Sequence, residues 1–73
     1  MNAQYAICID NTDYERDLEL HKVYRLKSDE MGDEAGMLRI IYNTGEDYLY
    51  DANRFVAVDL PEAARRSFDQ ILA

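Results

Sequence analysis

The sequence predicts a small, mainly β fold: five short strands closed into a barrel, with one α-helix at the C-terminal end. Three observations predict it. Five short segments carry the two-residue alternation of a half-buried strand. They are separated by a long polar loop, an acidic loop and tight turns, the connections of a small antiparallel sheet. An apolar period of 3.6 residues occurs only near the end. Closure suits so short a chain because it removes exposed sheet edges. The competing architecture is an open α+β sheet with the helix across one face.

The first strand is Tyr5 to Ile9, with the bulky Tyr5, Ile7 and Ile9 on one face, expected to point inward. Residues 10–17 hold Asp10, Asn11, Thr12, Asp13, Glu15 and Asp17, which reads as a polar loop. Leu18 and Leu20, then Val23 to Leu26, make a second strand region bent near His21 and Lys22, with Tyr24 and Leu26 sharing a face. Residues 28–36 form an acidic loop with two glycines. Met37 to Tyr42 is the clearest strand, placing Leu38, Ile40 and Tyr42 together. Asn43-Thr44-Gly45-Glu46 is a hairpin connection in which Gly45 can take a positive φ. Asp47 to Tyr50 is its partner strand, and a single turn over 51–54 leads into Phe55 to Val58. In the helix, Asp59 can cap, Pro61 suits the first turn, and Glu62 completes a capping box. Ala64, Phe68, Ile71 and Leu72 recur on one stripe. The strands span about 4–58 and the helix about 60–72, in one domain.

Length allows no second core: 73 residues make one small domain with stability of a few kcal/mol. Fifteen acids against eight bases give a net charge of −7. Phosphate backbones are bound by lysine and arginine that displace counterions, so neither nucleic acid nor an anionic membrane is an expected partner. A basic protein segment is. Cys8 is the only cysteine, so no internal disulfide can form, which points to the cytoplasm. The first residues lack the charged and apolar regions of a signal peptide, and no apolar run approaches a membrane span.

Catalytic chemistry finds no foothold. His21 is the only histidine, and Ser28 and Ser67 sit in no nucleophile elbow. Cys8 lies between two isoleucines without a base to lower its pKa. The loop starting at Asp10 places Thr12 and Tyr14 where a calcium loop needs acids. Asp29, Glu30, Asp33 and Glu34 read as a solvated charged loop. Gly32, Gly36 and Gly45 are too scattered for a phosphate loop. No catalytic residue, cofactor or metal ligand is expected, and the chain is not expected to be an enzyme.

The order of strand, long acidic loop, Leu18-x-Leu20, Val23-Tyr-Arg-Leu26, hairpin and final turn resembles the SH3 barrel across residues 5–58. The closest local echo is Leu49-Tyr-Asp-Ala-Asn-Arg-Phe-Val56, similar to the stretch in which an SH3 domain leaves a strand, makes one helical turn and enters its last strand. The whole chain resembles small uncharacterised bacterial proteins with an SH3-like barrel and a terminal helix. The first strand lacks the aromatic Ala-x-Tyr-x-Tyr motif, no tryptophan follows the second loop, and Asp51 stands where the groove proline would be. A PxxP ligand needs a row of aromatic walls, so polyproline recognition is not expected.

Six tyrosines are the one compositional oddity. Tyr5, Tyr24, Tyr42 and Tyr50 fit inward positions on strands. Tyr14 in the first loop and Tyr48 at the hairpin shoulder are the candidate anchors of a contact surface, with Asp13, Glu15 and Asp17 as its charged rim. The expected function is a small non-catalytic protein-interaction module; the alternative is an accessory or stabilising subunit of a larger enzyme complex. The expected state is a monomer, or a weak homodimer through the helix stripe.

Overall fold

Five segments rich in β-branched and aromatic residues form one antiparallel sheet. In this computed structural model, which describes residues 4–72 and side chains as far as Phe68, the strands are β1 (Tyr5–Cys8), β2 (Val23–Lys27), β3 (Met37–Ile41), β4 (Asp47–Asp51) and β5 (Phe55–Val58). Their order in the sheet is β4-β3-β2-β1-β5. A 3-10 turn, Ala52–Arg54, joins β4 to β5. Two helices complete the chain: α1 (Glu30–Glu34) and α2 (Glu62–Leu72).

The expected closure into a barrel does not occur. β4 and β5 remain the two edges, which is the open-sheet arrangement. The first loop occupies the seam that closure would need. Its Tyr14 ring packs edge-on against Tyr50 of β4 at 5.1 Å, and Arg54, just before β5, lies over the same ring at 4.8 Å. The Tyr14 ring thus stands between the end of β4 and the start of β5.

The core lies on the inner face of the sheet, where Ala6, Cys8, Tyr24, Ile40, Tyr50 and Phe55 meet Leu18 from the first loop. Leu26, Leu38 and Tyr42 pack against its margin. The faces of β2 and β3 are therefore as the alternation predicts. The face of β1 is the reverse. Ala6 and Cys8, both 0% exposed, point into the core, while Ile9 is 48% exposed. Tyr24 and Phe55 already fill the space in front of this central strand, their rings in contact at 6.3 Å, so only small side chains fit there. Tyr5 is buried on the opposite face, where Phe68 of α2 meets it at 5.3 Å.

The second strand is shorter than expected. Leu18 and Leu20 belong to the first loop, whose turn bonds from the N–H groups of Asp17 and Leu18 to the Tyr14 carbonyl compete with any ladder. The segment 28–36 is likewise more than a loop. The Asp29 carboxylate accepts the Gly32 N–H at 2.9 Å and so caps α1, which ends at Gly36 with φ +74°. The hairpin glycine, Gly45, has φ +89° as its turn requires. At α2, Pro61 stands one position before the helix and its carbonyl accepts the Arg65 N–H at 3.1 Å. Asp59 is thus too far upstream to be the cap. Ile71 and Leu72 of the predicted apolar stripe lie outside the described side chains.

Phe68 is only partly buried, so Phe68→Ala is expected to cost about 1–2 kcal/mol, below the roughly 3–5 of a fully buried phenylalanine. Urea denaturation measures it. An unchanged midpoint would mean that α2 gains nothing from Tyr5.

Candidate functional site

The first loop is shaped by its own polar residues. Asp10 turns the chain by accepting the Thr12 N–H at 2.9 Å, and Asn11 donates its amide to the Leu18 carbonyl at 3.0 Å. Leu18, 1% exposed, then anchors the loop in the core, and the Glu19 N–H donates to the Tyr24 hydroxyl at 2.8 Å. From the other side, Arg54 donates to the Thr12 carbonyl at 2.8 Å. These restraints leave Tyr14 standing between Arg54 and Tyr50 at the loop's inner rim.

Opposite it lies β4. Alternation puts Tyr48 and Tyr50 on the face that carries the core, and Tyr50 is buried while Tyr48, nearer the hairpin, is 49% exposed. Tyr42 connects the two: its ring meets Tyr48 at 5.5 Å, and its hydroxyl is hydrogen-bonded to that of Tyr50. The result is a groove of about 580 Å³ between the first loop and β4, walled by Tyr14, Tyr42, Tyr48 and Tyr50, with Leu49 and Thr44 at its margins. Its charged members are Arg16, Asp17 and Glu46.

The Tyr48 hydroxyl donates to Glu46 at 2.8 Å, and this bond raises its pKa above the ordinary tyrosine value. Burial, followed by the bond to Tyr50, raises that of Tyr42 still further. Both rings therefore present neutral hydroxyls at physiological pH. Among the described residues neither Asp17 nor Glu46 forms an ion pair, whereas Asp47 is held by Arg39 at 2.7 Å and Lys27 at 3.5 Å. Two carboxylates at the groove are thus available to an incoming cation.

Of the candidate residues, the structure brings Tyr14, Tyr48 and Asp17 to this groove, with Tyr14 40% exposed. Asp13 and Glu15 are exposed on the loop and do not line it; Glu15 instead accepts the Asp13 N–H at 3.3 Å. Sequence reasoning missed Glu46, and it counted Tyr42 and Tyr50 only as core. The alternation of Glu46, Tyr48 and Tyr50 carried the signal. Among the described residues no three His, Cys, Asp or Glu side chains converge on a metal site, and no helix is long and apolar enough to cross a membrane. Comparison with known protein families, with curated proteins and with solved structures finds no match.

On the far side of β4, Arg39 links Asp29 at 2.8 Å to Asp47 at 2.7 Å and so ties α1 to the hairpin that carries Tyr48. The Gly32 N–H, then Arg39, lower the Asp29 pKa; Arg39, then Lys27, lower that of Asp47. Both carboxylates start from 3.8, so the stability they contribute is complete above that value and disappears as the pH falls through the lower folded values. Amide exchange in α1 and at the β4 end is expected to accelerate below about pH 4, relative to β1. Equal acceleration everywhere would dissociate the effect from this triad.

Proposed function

We propose that this chain is a small non-catalytic protein-interaction module, and that it recognises a lysine- or arginine-bearing segment of another protein in the tyrosine groove. The observation that carries the reading is the pairing of two half-exposed aromatic rings, Tyr14 and Tyr48, with the carboxylates of Asp17 and Glu46, neither of which forms an ion pair among the described residues. Aromatic faces and carboxylates both attract a cationic side chain, and tyrosine offers contact area at low entropic cost. The volume falls within the roughly 300–1,000 Å³ of ordinary ligand sites. The strand order, and the 3-10 turn between β4 and β5, support keeping the SH3-like resemblance as a reading of the fold, with its sheet open.

The test is capture from a cell extract by the immobilised protein beside its Tyr14→Ala/Tyr48→Ala double variant. A discrete partner held by the first and lost from the second is the expected result. Equal capture by both would remove the groove from the function. If the captured material is a stoichiometric enzyme complex indifferent to both substitutions, the chain is an accessory subunit instead.

A further inference from the structure

The open edge of the sheet and the tyrosine groove are the same place. Resting on the reading above, we infer that the groove takes its partner as an added β-strand along β4, in an extended segment that turns basic side chains toward Tyr48, Asp17 and Glu46.

The phase of the β3–β4 ladder carries the inference. The Tyr42 N–H donates to the Glu46 carbonyl at 2.8 Å, and the Ala52 N–H to the Gly36 carbonyl at 2.9 Å. With the register Ile40↔Tyr48 and Leu38↔Tyr50, these bonds make every even-numbered residue of β4 face β3. The N–H and C=O groups of Asp47, Leu49 and Asp51 therefore point away from β3. The Asp51 carbonyl is taken by the first bond of the 3-10 turn that Asp51 precedes, whereas among the described residues no turn or loop backbone bond engages Asp47, Leu49 or the Asp51 N–H. Along this edge Leu49 is 37% and Tyr48 49% exposed. A strand laid here, about 4.8 Å from β4, would find the donors and acceptors of Asp47 and Leu49, and the Asp51 N–H, already extended. Its alternate side chains would fall toward Tyr48 and the groove, or toward Leu49 beside α1.

Charge selects the occupant. An antiparallel second copy centred on Leu49 would set Asp47 of each chain against Asp51 of the other, like charges at both ends of a five-residue pairing that Arg39, Lys27 and Arg54 offset in part. Asp17 and Glu46, which form no ion pair among the described residues, favour a segment rich in lysine or arginine. Arg16 at the groove margin opposes this only in part.

The probe is a capped heptapeptide alternating lysine and valine, titrated at low salt and followed by amide NMR and hydrogen exchange. At saturation, the Leu49 amide is expected to exchange at least tenfold more slowly, with shifts at Tyr14 and Tyr48. N-methylation of one alternate set of peptide amides should weaken binding at least tenfold, and of the other set little. Leu49→Pro deletes only the outward N–H and no ladder bond, so it should abolish binding while Leu49→Ala retains it. If Leu49→Pro disturbs the fold, the N-methyl pair gives the same answer on the unaltered protein. Shifts at Tyr14 and Tyr48 without Leu49 protection would overturn strand addition and leave the groove reading standing. No binding, or equal binding of an alternating glutamate and valine peptide, would overturn the basic strand as occupant; the capture experiment then decides the groove reading separately. Leu49 protection that rises with protein concentration alone would mean the occupant is a second copy, and would equally overturn it.

Discussion

Leu18→Ala is expected to bring the protein close to its unfolding threshold at room temperature. Leu18 is 1% exposed and is the core's only contribution from the first loop. Truncating a fully buried leucine costs roughly 2–5 kcal/mol in lost transfer energy and residual cavity. A domain of this size has only about 4–10 kcal/mol in total. The loss also falls where the groove is built, since Leu18 sets the position from which Tyr14 reaches Tyr50. Urea denaturation should show the midpoint falling by a third or more, with the tyrosine near-ultraviolet signal weakened even where the fold survives. Leu20→Ala is the control. Leu20 is 47% exposed, two residues away on the same loop, and its truncation should change stability by less than about 0.5 kcal/mol. Equal effects at the two positions would remove Leu18 from its anchoring role.

Ala6→Leu is expected to be nearly as damaging, in the opposite sense of volume. Ala6 sits on β1 between β2 and β5, opposite Tyr24 and Ala57, with no exposed surface. Three added carbons have nowhere to go without displacing Tyr24 or Phe55. Overpacking of this kind typically costs about 1–3 kcal/mol, and a site enclosed by two ladders lies at the upper end. Ile9→Ala, at a half-exposed position, should be nearly neutral. Stability that falls in Ile9→Ala and survives in Ala6→Leu would restore the bulky face of β1 as the inward one.

That reversal shows what alternation can and cannot say. In β3 the apolar set Leu38, Ile40 and Tyr42 faces Arg39 on the other side, so both period and direction are legible. In β1 both faces are apolar, and size was a misleading guide to direction: the inner face is crowded by rings from β2 and β5, while the outer one has Phe68 to cover Tyr5. Helix α1 escaped notice because it is five residues long and begins with a glycine in its first turn. It exists through its cap, Asp29, and through Arg39 ten residues away, a contact that no local pattern contains. The groove was half legible. Tyr14 and Tyr48 stood out as tyrosines in polar surroundings. Glu46 and the inward rings beside them depend on the curl that brings the first loop over β4, which strand periodicity does not encode.

Arg54 reaches back 42 residues to the Thr12 carbonyl and covers Tyr14, and β1 finds a neighbour in β5 as well as in β2. Contacts of such separation close late, because the entropy of a long loop is lost before the contact repays it. While the chain is being synthesised, β1 to β4 can assemble as successive hairpins and Tyr50 can meet Tyr14, yet the other side of the Tyr14 ring stays open until the turn at Ala52–Arg54 has emerged. The binding surface therefore matures last. A nascent or C-terminally cut chain that still holds β3 and β4 would carry Tyr48 opposite a Tyr14 ring that Arg54 does not cover, sticky but unselective.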